Sequence, residues 1–275
     1  MQRVSSPNAP IAGRVVLVTG AARGIGAATT RELIRRGASV GLVDIDANAV
    51  NALARDLGAA AAAWVADIRD AEQIERAVDG VVTRFGGLDA VVANAGVEIL
   101  GELGELAPTD FARVIEVNLI GTWRTIRATL PAVARRRGYY LLVSSLSAVA
   151  HAPYNGAYDA SKAGVVSLAK TLRLETRARG IGVGIAYLSY VDTPAAREAV
   201  ETPRMQALLA RMPGGAPRPM PVEDVARAFA TAIDRRSARV VLPRSQIAGV
   251  YLPELAQAVI DRVLRKADPE ETPRG

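Results

Sequence analysis

Residues 14–37 read RVVLVTGAARGIGAATTRELIRRG, and the order of residue types in this stretch decides the fold. Val15, Val16, Leu17 and Val18 form a short apolar, β-branched run of the kind that suits a parallel strand covered on both faces. Gly20, Gly24 and Gly26 punctuate the turn that follows. From Ile25 onward, Ala27, Ala28, Leu33 and Ile34 give a small, apolar face at helical spacing, and Gly37 stands where a C-terminal cap belongs. A strand, a glycine turn and a helix in succession aim the helix N-terminus out of the sheet edge. Its unpaired N–H groups and partial positive charge favour a phosphate, and glycines let a pyrophosphate approach where a Cβ would block it. A glycine triplet alone also fits a tight turn that binds nothing, so the rest of the chain must decide.

The rest of the chain repeats the alternation. Apolar runs predict strands at 39–43, 61–66, 90–93, 139–143, 181–187 and 238–242. Helical spacing predicts helices at 47–57, 71–85, 108–137, 158–179, 223–235 and 253–265, with Pro131 kinking or breaking the third and Gly180 capping the fourth. Residues 1–12 read as a flexible lead-in, 13–266 as one domain, 193–221 as a substrate lid rich in Pro, Gly and Arg, and 267–275 as a flexible tail. The pattern predicts a single Rossmann-type, doubly wound parallel sheet of about seven strands with helices on both faces. Such sheets bind ligands at the carboxyl ends of their strands, where the polar residues of this chain gather.

Composition narrows the function. The chain has 275 residues, half of them hydrophobic, and no cysteine, which excludes disulfides, thiolate nucleophiles and cysteine-ligated metals and fits a reducing, cytoplasmic setting. No apolar run nears the roughly 20 residues that span a bilayer, so no membrane is expected. The net charge of +6 raises the question of nucleic acid, but the basic residues are scattered over helices and only 4% of residues are aromatic, which argues against it. Only three of the 34 basic residues are lysines, Lys162, Lys170 and Lys266, so a lysine here is worth inspecting.

Two sets of residues carry chemistry. Asp44 ends the second strand 24 residues after Gly20, where an acid accepts hydrogen bonds from the adenosine ribose hydroxyls and repels a 2′-phosphate. Asp46 is the better candidate for the following helix cap. Tyr158 and Lys162 are i and i+4 on one predicted helix, so the ammonium can lie near the phenol. With seven tyrosines and three lysines, chance would give this spacing only about 0.08 times, which makes it informative. A free phenol titrates near 10, and a general acid/base works best near the operating pH. One cation about 4 Å away supplies the order of 4 kcal/mol that a three-unit depression needs.

Together with Ser145, these residues carry a resemblance. Thr19-Gly-Ala-Ala-Arg-Gly-Ile-Gly26, Ala93-Asn-Ala-Gly96, Asn118 in V-N-L-I-G, Ser145 and Tyr158-Asp-Ala-Ser-Lys162 resemble the short-chain dehydrogenase/reductase family in order and spacing, over residues 13–242. The resemblance implies that Tyr158 transfers the proton and Ser145 hydrogen-bonds the substrate oxygen. Lys162 would lower the Tyr158 pKa and bind the nicotinamide ribose, and Asn118 would hold a relay water. It implies NAD as cofactor, cradled by Gly20, Arg23, Gly24, Ile25 and Gly26 and bound by Asp44. Asp67 and Ile68 would contact adenine, Asn94, Ala95 and Gly96 would line the cofactor path, and Val191 and Thr193 would meet the carboxamide. The two long helices would pair with their copies in a homodimer or homotetramer.

The chain departs from the family pattern twice: Ala93 replaces a usual asparagine, and Leu188-Ser189 stands where a Pro-Gly pair is usual, which leaves the backbone path there open. The substrate carbon would be surrounded by Val97, Ile99, Leu146, Pro153, Tyr154, Leu188 and Tyr190, with Glu98 the one acid nearby. That set predicts a neutral, fairly hydrophobic secondary alcohol or ketone as the small-molecule partner. Arg197, Arg204 and Arg211 read as the solvated face of the lid. His151, the only histidine, has no acid partner evident in the sequence and reads as a loop histidine. No metal site is indicated. An NADP(H)-dependent carbonyl reductase, supported by Arg23, and a non-catalytic nucleotide-binding regulatory protein remain as alternatives.

Overall fold

The computed structural model describes residues 11–202, 206 and 218–267. Seven strands, β1 (Val15–Thr19), β2 (Ser39–Asp44), β3 (Ala61–Val65), β4 (Ala90–Ala93), β5 (Tyr139–Ser145), β6 (Gly182–Leu188) and β7 (Arg239–Leu242), form one sheet in the order β3-β2-β1-β4-β5-β6-β7. Every pairing is parallel. Because β1 pairs with β2 on one side and β4 on the other, the chain reverses its direction of winding there, and a crevice opens at the strand ends.

The helices are α1 (Gly24–Arg35), α2 (Ala47–Leu57), α3 (Ala71–Phe85), α4 (Pro108–Ile115), α5 (Gly121–Arg135), α6 (Gly156–Thr176), α7 (Pro194–Glu201), α8 (Val222–Arg235), α9 (Ile247–Tyr251) and α10 (Pro253–Ala267). Alternation along β1 divides the core. Val16 and Val18 pack with Leu33 of α1, Val50 of α2 and Phe229 of α8. Val15 and Leu17 pack on the other face with Ile74 of α3, Val133 of α5 and Val165 of α6. Each such side chain contributes about 1.5–3 kcal/mol by leaving water.

Three expectations change. The predicted helix 108–137 is interrupted at a π-turn, Glu116–Ile120, and not at Pro131, which lies inside α5. The extra residue of a π-turn re-aims side chains, and here it turns Asn118 inward until it is fully buried. Packing begins before the expected domain start: Ile11 is buried and its N–H donates to Asp234 Oδ1 at 2.6 Å. The expected lead-in 1–10, lid residues 203–205 and 207–217, including Arg204 and Arg211, and the tail 268–275 lie outside the described residues.

Asp234 also ties α8 to α1. Its Oδ2 accepts from Arg36 at 3.1 Å, and Arg36 in turn reaches Glu32 at 2.7 Å. Glu32 is clasped by both Arg35 and Arg36, which hold its carboxyl at about 2 against burial. A carboxyl with a lower pKa folded than unfolded stabilises the fold above its ordinary 4.5 and loses that contribution as pH falls toward 2. Glu32→Gln should therefore cost about 1–2 kcal/mol in urea denaturation at pH 7 and distinctly less at pH 3. An equal cost at both pH values would contradict the assignment.

Candidate active site

At the end of β1 the chain is drawn close to the loop after β4. Thr19 Oγ1 accepts from the N–H groups of Asn94 (3.1 Å) and Ala95 (3.2 Å), while Asn94 Nδ2 donates to the carbonyls of Thr19 (3.0 Å) and Gly20 (3.1 Å). This close approach requires glycine. A Cβ on Gly26 would stand 1.9 Å from the Gly20 oxygen, and Gly20 itself has a φ of +65°. Helix α1 then opens with no side-chain cap and no acid in its first turn, so its N–H groups and positive end face the crevice unopposed. Asp44 is fixed beside the turn, with Oδ2 accepting from Ala22 N–H at 2.9 Å and Oδ1 from Asp46 N–H at 3.0 Å. Asp46 caps α2, as expected, and ion-pairs with Arg23. Asp67 is engaged by Arg69 at 2.6 Å, and the Ile68 side chain turns into the core against Gly121.

On the other side of the crevice, α6 is stapled to β5. Ser144 Oγ donates to the Lys162 carbonyl at 3.0 Å, and Lys162 Nζ donates to the Val143 carbonyl at 3.1 Å. Lys162 Nζ then lies 5.4 Å from the centre of the Tyr158 ring. Ser145 Oγ donates to the Leu188 carbonyl and accepts from Ser147 N–H, both at 3.2 Å. Asn118 joins the parts: Oδ1 accepts from Val97 N–H at 2.8 Å, and Nδ2 donates to the Val97 carbonyl at 2.8 Å and to Ser161 Oγ at 3.0 Å. The Ser161 hydroxyl continues to the Tyr158 carbonyl at 2.7 Å. The expected depression of the Tyr158 pKa is absent from this arrangement. Burial holds the phenol above its ordinary value, the Glu98 carboxylate pushes the same way, and Ser145 works against both. Burial also brings Lys162 down to about 8, opposed by Glu98.

A family model described as short chain dehydrogenase matches residues 14–204. The chain belongs to the short chain dehydrogenase family. It is 39% identical over 229 residues to an uncharacterized NAD-dependent oxidoreductase of Mycobacterium tuberculosis, covering 77% of this chain and 82% of that one. It is 35% identical over 207 residues to the D-threitol dehydrogenase of Mycolicibacterium smegmatis, covering 74% and 80%. Among solved structures, the 3-ketoacyl-(acyl-carrier-protein) reductase of Brucella melitensis complexed with NADH superposes with a TM-score of 0.76 at 26% identity, covering 84% of this chain and 97% of that one. The chain is thus an oxidoreductase of CH–OH groups with a nicotinamide dinucleotide cofactor.

Where this short chain dehydrogenase departs from the family pattern, its backbone is nonetheless held. Beyond Leu188, Ser189 N–H donates to the Leu242 carbonyl at 2.9 Å, Met220 N–H to the Tyr190 carbonyl at 2.9 Å, and Asp192 N–H to the Met220 carbonyl at 2.8 Å. Hydrogen bonds to neighbouring strand and loop do there what the conformational bias of Pro-Gly would do. The Leu188 side chain is buried in the core with Val191, so its carbonyl and not its side chain reaches Ser145. Thr193 caps α7 and sits 3.3 Å from where a Cβ on Gly24 would be, placing it over the glycine turn. Arg197 pairs with Asp192 at 2.6 Å on the surface. Val97, Glu98, Ile99, Leu146 and Tyr190 lie along the crevice with partial or open exposure, whereas Pro153 and Tyr154 border a cleft of about 640 Å³ with Glu102, His151 and Asp159. Tyr154 takes a φ of +70°, which costs strain in so bulky a residue, and its carbonyl accepts from Gly101 N–H at 2.8 Å.

His151 does have an acid partner: its Nδ1 lies 3.4 Å from Asp159 Oδ2. The sequence hides the pair because Asp159 reads as the variable residue beside Tyr158, and only the turn of α6 aims it at the loop. Asp159 is 5% exposed, its Oδ1 has no hydrogen-bond partner among the described residues, and burial pushes its carboxyl up to about 6 against the pull of His151. A carboxyl with a higher pKa folded than unfolded destabilises the fold as pH rises from about 4 through 6. Asp159→Asn should raise the melting temperature at pH 7.5 and leave it nearly unchanged at pH 4. A lower melting temperature at pH 7.5 would show that the His151 contact outweighs the burial.

Proposed function

We propose that this enzyme moves hydride between NAD(H) and a neutral, largely apolar secondary alcohol or ketone, with Tyr158 as the general acid/base. The observation that carries the reading is the meeting of Ser145, Tyr158 and Lys162 at the crevice that also holds an uncapped helix N-terminus and the fixed Asp44 carboxylate. The glycine cradle fits a pyrophosphate, because Gly26 and Gly20 leave the backbone bare where any Cβ would collide. Nicotinamide supplies hydride transfer and, when oxidised, a positive charge at the reacting centre. Ser145 then orients the substrate oxygen, Tyr158 gives or takes its proton, and Lys162 holds the ribose and adds a cation. Tyr158 keeps its proton at neutral pH, so it stands ready to protonate the oxygen in ketone reduction, and oxidation speeds up toward alkaline pH.

NAD is favoured over NADP because Asp44 repels a 2′-phosphate and Arg23, the residue that would welcome one, is engaged by Asp46. Adenine would rest near Asp67 and Ile68, and the carboxamide near Val191 and Thr193. The dehydrogenase named for D-threitol and the NAD-dependent oxidoreductase support the reaction class. Exposed Phe111, Trp123 and Leu174 on α4, α5 and α6 support pairing of these helices with their copies in a homodimer or homotetramer. Among the described residues no helix is long and apolar enough to cross a membrane.

Steady-state kinetics with secondary alcohols should show NAD preferred over NADP by at least about tenfold in kcat/KM, with Asp44→Ala eroding the preference. Tyr158→Phe should lower kcat by about 10²-fold or more while NADH binding stays near wild type. Equal use of the two cofactors would refute the cofactor assignment, and full turnover by the phenylalanine variant the chemical one.

A further inference from the structure

Glu98 is the one acid set into the apolar substrate side of the crevice, and its position is imposed by the residue before it. Both backbone polar groups of Val97 are gripped by the Asn118 side chain, so the chain cannot rotate to carry Glu98 elsewhere. The carboxylate is open to solvent along the crevice and otherwise surrounded by protein; burial raises its pKa, opposed by a hydrogen bond with the Asn155 side chain and by the charge of Lys162. Its charge is felt at both Tyr158 and Lys162, which puts it beside the reacting carbon. Among the described residues no arginine or lysine forms an ion pair with it, and the nearby Lys162 ammonium already donates to Val143. Asn155 meanwhile carries a second acceptor, its Oδ1, which is buried and has no hydrogen-bond partner.

Two acceptors therefore flank the place of the substrate, with no protein donor assigned to either acceptor's free capacity. A substrate that covers them displaces their water. If it brings no donor, the cost is about 1–3 kcal/mol per neutral group and more for a carboxylate. Resting on the dehydrogenase reading above, we propose that Glu98 and Asn155 form a specificity-determining acceptor pair that selects secondary alcohols carrying a second hydroxyl on the neighbouring carbon. An ammonium in that place would face Lys162 and, in the oxidising direction, the positive nicotinamide, so a neutral hydroxyl is the donor that fits. In the reaction the C–H bond of one carbinol breaks and its hydride passes to NAD, the proton of that hydroxyl passes to Tyr158, and the carbinol becomes a ketone. The second hydroxyl stays unchanged, donating to Glu98, and the product is an α-hydroxy ketone.

The test compares kcat/KM with NAD for matched pairs, each a secondary alcohol and its vicinal diol, from 2-butanol and cyclohexanol upward in size, with the vicinal amino alcohol as a third member. Wild type should favour the diol by at least about tenfold, because a site built to hydrogen-bond a hydroxyl discriminates strongly against an analogue that lacks it. Glu98→Leu should lower the diol-to-alcohol ratio at least about tenfold, by losing the diol and gaining the simple alcohol. Glu98→Gln fills the same volume and keeps one acceptor oxygen, so it covers the case in which the leucine variant does not fold. It should reduce the ratio less and move the alkaline rise of kcat to lower pH, because of the charges facing Tyr158 only Asp159 and Lys162 would remain. Simple alcohols turned over as fast as their diols, amino alcohols preferred to diols, or a ratio unchanged in both variants would overturn the acceptor pair while leaving the dehydrogenase standing. No NAD-linked turnover of any alcohol would overturn both.

Discussion

Asn118 lies in the π-turn between α4 and α5, fully buried, and its side-chain amide uses both of its ends. It closes a two-bond ring on the backbone of Val97 and reaches Ser161, which passes the connection to the carbonyl of Tyr158. Three segments far apart in sequence thereby share one anchor: the loop after β4, the α4–α5 helix and the catalytic turn of α6. A backbone amide and carbonyl held this way contribute about 1 kcal/mol each, but leaving them buried and unpaired would cost more than the bonds contribute. The anchor also sets the direction of Glu98 and the room beside Gly96, where a Cβ would meet Asn118 Oδ1 at 3.2 Å and Lys162 Nζ at 3.4 Å.

The two sides of the crevice are built by different means. The nucleotide side relies on backbone: bare glycines, free N–H groups at the start of α1 and a Thr19–Asn94 clasp that binds β1 to β4. It can accept a phosphate without any charged side chain, which fits a chain whose one arginine in the turn is occupied by Asp46. The chemical side relies on side chains whose freedom has been removed by pairing with main-chain atoms, as Lys162 is to Val143 and Ser145 to Leu188. Rigid placement of this kind suits proton and hydride transfer, where small displacements carry large penalties in rate.

How legible this was in the sequence follows from how local each determinant is. Buried parallel strands announce themselves as short apolar runs, and α2, α3 and β4 fall on their expected residues because caps such as Asp46 and Asp70 act within one turn. The glycine turn and the Tyr158–Lys162 spacing are likewise local. The π-turn was not legible, because Pro131 is the louder signal and the turn is stabilised by what Asn118 meets across the molecule. The His151–Asp159 contact and the second acceptor on Asn155 depend on how the 146–155 loop folds over α6, which no spacing encodes. Leu188 was expected at the substrate by its place in the chain. Alternation along β6 sends its side chain into the core instead.

The dependence on Asn118 is tested most directly by Asn118→Ala, assayed for kcat and, in parallel, for NADH binding by fluorescence. With the clasp gone, the loop after β4 and the catalytic turn of α6 lose their common anchor, while the glycine turn, α1 and Asp44 are untouched. The expected result is a fall in kcat of about 10²-fold or more, with NADH affinity changed only a few-fold. Wild-type kcat in a folded variant would contradict it and show that β5 and the α6 staples hold the site without the amide.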